Sequence, residues 1–278
     1  MGRTLALLFL LLLVIALGCG GKGEVILATT TSTQDSGLLD VLAPLFEKRT
    51  GYRLKVIAVG SGQALAMGRR GDADVILAHS PEDEERFVAE GHGVDRRLVM
   101  HNDFVIVGPP GDPAGIAGLG PVEALRRIAQ RGSLFVSRGD DSGTHRLEMR
   151  LWREAGVEPS GQGWYQQSGQ GMGATLTIAD QKGGYTLADR ATYLALRRNI
   201  GLAVLVEGDP RLYNVYHVMR VNPSLHPKVN EAGARAFVEF MVAPETQAVI
   251  ATFGVERYGQ PLFYPDAGRD ERELTGSR

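Results

Sequence analysis

Cysteine is almost absent from this chain of 278 residues: Cys19 stands alone, so no intrachain disulfide can staple the fold. A surplus of either charge is missing too. Lys and Arg number 30 against 32 Asp and Glu, a formal net of −2, which excludes the basic excess of a general nucleic-acid binder. The six histidines, at 79, 92, 101, 145, 217 and 226, form no tight metal-ligand spacing of the His-Glu-x-x-His kind, so no structural metal and no cofactor is expected. The Ser- and Gly-rich loops contain no Gly-x-Ser-x-Gly elbow, and no histidine stands as an obvious base beside them, which argues against a hydrolase. No internal repeat and no low-complexity tract occurs after residue 23.

Only one long apolar run is present, Leu5 to Leu17. At about 13 residues it is short for a membrane span, which needs about 20. Arg3 precedes it and small residues follow, the pattern of an export signal. Cys19 sits directly after the run and resembles the lipidated cysteine of a bacterial lipobox, although Ala16 replaces the Leu preferred three residues before it. An ordinary cleaved signal or an uncleaved anchor is the alternative. Residues 1–23 are therefore set aside as a lipoprotein signal and linker. Removing Arg3 leaves the remainder slightly more acidic, so any anion site has to be built locally and not by overall attraction.

Beyond the leader, strand and helix patterns alternate. Glu24–Ala28 reads as a buried strand, and Leu38, Leu39, Leu42, Leu45 and Phe46 fall at helical spacing up to Gly51. Tyr52–Val59 and Asp74–Ala78 are further strands, with helices between and after them, the second of these acidic at Glu82–Glu85. Arg96–Met100 and Phe104–Val107 read as two more strands. This tempo predicts an α/β fold with a mostly parallel sheet. The Pro- and Gly-rich segment 108–113 marks entry into a second lobe, where helices at 121–131, 144–155 and 174–181 alternate with strands at 133–136 and 202–206. The strand 213–221 and the helices 230–241 and 244–253 close the chain, and the charged tail from Asp266 reads as frayed.

Three times an apolar strand ends in a loop rich in Ser, Thr and Gly, and a helix begins: 29–37, 60–63 and 137–144. A fourth polar loop, 168–173, opens the helix at 174. The first N–H groups of a helix have no internal partner and sit at its positive end, which suits them to an anion. Hydroxyls add donors without charge, and Arg138 adds a planar fork of them. Arg138 has a second use open to it, an internal salt bridge to Asp140 or Asp141, and such a bridge would also fix the guanidinium. Trp164, Tyr165 and Tyr185 are read as core.

Several motifs resemble the tungstate-binding proteins of ABC transporters. They are Ala28-Thr29-Thr30-Thr31-Ser32-Thr33 with Asp35-Ser36-Gly37, Gly71-Asp72-Ala73-Asp74-Val75 with His79-Ser80-Pro81, and Ser137-Arg138-Gly139-Asp140-Asp141-Ser142-Gly143-Thr144-His145. Trp164-Tyr165, 169–173 and Tyr185–Arg190 continue the likeness. The resemblance implies a type II periplasmic-binding-protein fold, two α/β lobes joined by a hinge, with lobe I at 24–107 plus 219–278 and lobe II at 108–218. It implies an extracytoplasmic, substrate-binding, non-enzymatic monomer, lipid-anchored to the membrane through Cys19 or periplasmic, that passes a small oxyanion to an ABC permease and its ATPase. Thr30, Thr31, Ser32, Ser61, Gly62, Arg138, Ser142, Gly143 and Thr144 are its implied ligands, with Ser137, Gly171 and Arg190 as a second tier.

Three alternatives stay open at this point. A phosphate-binding protein would use a buried carboxylate to accept the proton that phosphate keeps near neutrality; Asp74 is the residue to watch, although its turn-like surroundings read as structural. A periplasmic enzyme acting on phosphate or acyl esters and the sensing domain of a regulator are the others. Tungstate and molybdate, alike in size and charge, are not separated by the residues themselves.

Overall fold

The computed structural model describes residues 22–275, so the leader and Cys19 lie outside the described residues. The chain forms two compact units by backbone contact, 22–97 with 217–246 and 98–216 with 247–275.

Unit 1 is a parallel α/β layer. Strand β1 (Glu24–Thr30) lies between β2 (Arg53–Val59) and β3 (Val75–Ala78), parallel to both. Helix α1 (Thr31–Asp35) and α2 (Leu38–Thr50) follow β1, α3 (Ser61–Arg70) follows β2, and α4 (Pro81–Ala89) follows β3. All four residues of β3 are buried, as expected of a parallel strand covered on both faces. Helix α2 buries Leu38, Leu39, Leu42 and Phe46 and stops at Gly51, whose φ of 78° makes the left-handed cap that glycine adopts without strain.

Asp74 stands at the opposite end of β3 from the loops. Its Oδ2 accepts Ile26 N at 2.7 Å and its Oδ1 accepts Asn230 N at 2.6 Å. Both oxygens serve the backbone, in line with the structural reading of this residue.

Unit 2 begins in β4 (Gly93–Gly108), which pairs antiparallel with β7 (Thr186–Asp189) and β8 (Ala203–Val206). A two-stranded parallel sheet joins β5 (Phe135–Ser137) to β6 (Tyr165–Gln167). Around these pack α5 (Pro121–Arg131), α6 (Gly143–Glu154), α7 (Met172–Lys182) and α8 (Arg190–Leu196). Phe135, Trp152, Tyr165 and Tyr185 form the centre of the core. Tyr165 and Tyr185 are buried and Trp164 packs against Trp152 at 5.5 Å, which is their core reading. Strand β9 (Tyr213–Val221) returns the chain to unit 1, where its residues from His217 to Arg220 pair antiparallel with β3. Helix α9 (Glu231–Val242) follows, and the edges of Phe237 and Phe240 meet Phe46 at 5.2 and 5.5 Å. Next come α10 (Pro244–Thr252), α11 (Val255–Tyr258), β10 (Tyr264–Pro265) and α12 (Glu271–Thr275).

The structure departs from the sequence reading in several places. Residues 98–107 and 247–275, placed above with the first lobe, group with unit 2 by contact; Asp266 N donates to Val99 O at 3.0 Å and Phe263 meets Tyr216 edge-on. The two strands expected across 96–107 are one, β4, because the polar stretch between them is satisfied internally. His101 bonds Asp266, Asn102 accepts from Asn214, and Asp103 pairs with Arg190. The tail is ordered as far as α12, with Asp266 and Leu274 buried. Within the acidic run 82–85, Glu84 is buried: it accepts Ser80 N at 2.7 Å and pairs with Arg96 and His217.

Candidate anion-binding loops

Unit 1 gathers three helix starts at one edge of its sheet. Thr30 is opposite Val59 in the β1–β2 register, and Leu77 is opposite Thr29 in the β1–β3 register. Neighbouring strands lie about 4.8 Å apart, so the ends of β1, β2 and β3 deliver the turns at Thr30, Gly60 and His79 side by side.

Thr30 is the N-cap of α1: its Oγ1 accepts Thr33 N at 3.2 Å and lies 2.6 Å from Thr33 Oγ1 and 3.1 Å from Ser32 Oγ. His79 Nε2 is 3.2 Å from Thr30 Oγ1 and 3.3 Å from Ser32 Oγ. Thr31 and Ser32 are exposed. Ser61 and Gly62 open α3, whose cap is Gly60. Apart from the adjoining backbone, no atom lies within 4 Å of where a side chain at Gly60 or Gly62 would begin, so space is open beside this turn. His79 belongs to a motif that the sequence reading singled out but left without a role; its position just past a buried strand, parallel to Thr30, is the signal that marks it.

Unit 2 repeats the arrangement on the β5–β6 pair. Ser137 ends β5 and is fully buried, its Oγ accepting Gly139 N at 3.2 Å. Arg138 gives Nε and Nη2 to Asp140 Oδ2 at 3.1 and 2.5 Å, so the salt bridge considered for it is made, and it uses one edge of the fork. Ser142 caps α6 by accepting His145 N and donates its hydroxyl to Asp140 Oδ1 at 2.6 Å. Burial alone would raise the Asp140 carboxyl, but hydrogen bonds from Ser142 and Arg138 outweigh it and hold the group below its ordinary range. With the Ser142 hydroxyl committed to Asp140, the donors left at this turn are the N–H groups of Gly143 and Thr144 and the outer edge of Arg138.

The second loop is stitched to the first. Ser168 N donates to Ser137 O at 2.8 Å and Gly169 N to Arg138 O at 2.9 Å. Gly171 then caps α7. Gly139 has φ +64° and an added Cβ would sit 2.7 Å from Gln167 Cβ, so both conformation and space demand glycine there.

Arg190 is occupied elsewhere. Its guanidinium binds Asp103 at 2.7 and 2.5 Å and Glu207 at 2.7 Å. Burial works against its charge, but those carboxylates overcompensate and raise its pKa.

One electrostatic feature separates the candidate turns from most other helix starts. Helices α1, α3, α6 and α7 carry no acidic residue in their first turn. By contrast α2, α4, α5, α9, α10 and α11 carry Asp40, Glu82 to Glu84, Glu123, Glu231, Glu245 and Glu256 there. An acid in the first turn neutralises the positive end and competes with an incoming anion; its absence leaves those amides to a ligand. Among the described residues no group of three or more His, Cys, Asp and Glu could hold a metal ion.

Two α/β units, each ending a pair of parallel strands in Ser-, Thr- and Gly-rich helix N-termini, present donors of the kind that suit a small anion. The chain matches the model of the PBP superfamily domain over residues 20–245. It is 50% identical over 251 residues to the tungstate-binding protein TupA of Peptoclostridium acidaminophilum, covering 89% of this chain and 87% of that protein. It is 49% identical over 256 residues to a putative ABC transporter anion-binding protein of Haloferax volcanii, covering 90% and 74%. The solved structure of the tungstate-binding protein TupA from Desulfovibrio alaskensis G20 superposes with a TM-score of 0.83 at 46% identity, covering 88% of this chain and 99% of that one. The chain belongs to the PBP superfamily and, within it, to the TupA family.

Proposed function

We propose that the protein is the binding component of an ABC transporter and captures tungstate, with molybdate as its nearest competitor, on its Ser-, Thr- and Gly-rich loops. The observation that carries this reading is the set of four acid-free helix starts lined with hydroxyls and glycine, one of them holding an arginine braced by Asp140. A dianion taken out of water needs many donors, and each charge-assisted bond contributes on the order of 1.5–3 kcal/mol. Kinship with proteins named for tungstate selects that anion.

The phosphate alternative is weaker. Both oxygens of Asp74 serve backbone amides, and those of Asp140 are taken by Arg138 and Ser142, so neither carboxylate has an oxygen left over for a phosphate proton. Tungstate, fully deprotonated, asks only for donors.

The protein hands its ligand to a permease driven by an ATPase and carries out no turnover of its own. It works outside the cytoplasm, held to the membrane by lipid on Cys19, as a monomer. Among the described residues no helix is long and apolar enough to cross a membrane.

Calorimetry against tungstate, molybdate, sulfate and phosphate tests the assignment. Tungstate binds tightest, molybdate comparably or more weakly, and sulfate little. Binding of phosphate alone overturns the choice of anion and leaves the fold untouched. Mass spectrometry of the membrane-extracted protein checks the acylated Cys19.

A further inference from the structure

Beneath the Arg138 loop lies a carboxyl that the proposed ligand set does not use. Glu148 projects from α6, the helix that Gly143 and Thr144 begin, and is 2% exposed. Its Oε1 accepts Tyr165 OH at 2.8 Å and Trp152 Nε1 at 3.2 Å, and the Ser137 hydroxyl is a further hydrogen-bond partner. Ser137 in turn accepts Gly139 N from the loop. Every one of these partners is neutral, and among the described residues no cation pairs with Glu148.

We infer that Glu148 is a positioning residue that couples anion capture to proton uptake: when a dianion docks on the Arg138–Thr144 turn, the buried carboxylate below it takes one proton from solvent. This rests on the reading of that turn as part of the anion site. The direction follows from charge. A dianion at the start of α6 repels a carboxylate about a turn and a half along the same helix, and the burial of Glu148 leaves solvent little part in screening it, so the neutral acid is favoured. The other charged groups nearby are Asp140, which already opposes ionisation of Glu148, Arg138, whose guanidinium is given to Asp140, and Asp141, paired with Arg146 and bonded to His145. From α5, Arg126 reaches the far end of α6 at Ala155 O and pairs with Glu123. Strand β7 ends in Asp189, which caps α8. None of these supplies a cation to Glu148. Burial pushes the carboxyl up to about 7, with bonds from Ser137, Tyr165 and Trp152 offsetting part of the rise, so the coupling falls in the working range of such a protein.

The test is titration calorimetry of the full-length protein with sodium tungstate between pH 6.5 and 9, in two buffers of different ionisation enthalpy. The wild type takes up about half a proton per anion near pH 7, and its affinity declines with rising pH by about tenfold for each pKa unit of coupling. Glu148→Gln keeps an oxygen acceptor for Tyr165 and Trp152; it shows no proton uptake and a flat affinity profile. Tyr165→Phe removes a donor to the carboxylate and moves the wild-type decline to higher pH, so it reads the same coupling should the glutamine variant fail to fold. Equal uptake in wild type and Glu148→Gln, or tungstate binding by the wild type without uptake, overturns this inference and leaves the anion site standing. No tungstate heat from the wild type at any pH overturns the site reading and this inference with it.

Discussion

Replacing Arg138 by alanine probes the anion site most directly. The guanidinium is 18% exposed and its partner Asp140 24%, so the pair is neither free in solvent nor sealed in the core. Without ligand, an ion pair of this exposure contributes no more than about 1 kcal/mol, which for a protein of this size moves the melting temperature by about 2–4 °C. With ligand, the loss is larger. The outer edge of the fork offers two charge-assisted bonds, together about 3–6 kcal/mol, and Asp140 is left facing the anion without its cation. Affinity for tungstate therefore falls roughly 100- to 10,000-fold. Arg138→Lys keeps the charge but loses the fork and falls between the two. Calorimetry reads the affinity, and thermal melting of the unliganded variant checks that the fold survives. An Arg138→Ala protein that binds tungstate within about threefold of the wild type refutes the placement of this residue in the site.

Saturating tungstate raises the melting temperature, since ligand at about 1,000 times its dissociation constant adds about 4 kcal/mol to the folded state; sulfate at the same concentration leaves the melt unchanged. Asp74→Ala leaves the amides of Ile26 and Asn230 unpaired and costs about 2–4 kcal/mol of stability in urea, while anion affinity per folded molecule is retained; loss of affinity with stability intact would contradict its structural role. Gly139→Ala forces a side chain into the +64° backbone and against Gln167, destabilising unit 2 by about 1–3 kcal/mol by denaturant titration. Glu148 also gives unliganded stability a pH dependence. Its folded-state pKa is raised from 4.5 to about 7, so its contribution is full below about pH 4.5 and is lost as pH rises through 7. Urea midpoints measured across that range decline in the wild type and less in Glu148→Gln.

Much of this was legible in the residues themselves. Strands β1, β2, β3 and β9 and helices α2, α3, α5 and α9 fall within a residue or two of where periodicity and glycine stops put them, because each buries one continuous face and ends at a cap that local chemistry specifies. Helix α1 was read as loop because five polar residues carry no apolar period; it exists because Thr30 caps it and Thr33 is buried beneath. Strand β4 was split in two because His101-Asn102-Asp103 looks like a break, and its partners Asp266, Asn214 and Arg190 are remote in sequence. Strands β6 and β7 are short and take their register from β5 and β4, which no local pattern announces. At the site, the Ser, Thr and Gly turns were visible one at a time. Arg190 suits an anion by type, and its pairing with Asp103 and Glu207 is announced by no local pattern because those carboxylates are remote along the chain. Glu148 was overlooked because a lone glutamate on an amphipathic helix gives no sign of facing inward.

The stitching of residues 168 and 169 onto 137 and 138 has a consequence for discrimination between anions. Because the backbone ties these turns together on a two-stranded base, the spacing between the Arg138 turn and the Gly171 end of α7 depends on the pairing of Ser137 with Gln167. Tungstate and sulfate differ in bond length by only fractions of an ångström, a difference that flexible side chains would absorb. Changes that retune which anion is chosen are therefore to be sought in the packing under β5 and β6 as much as among the groups that touch the ligand.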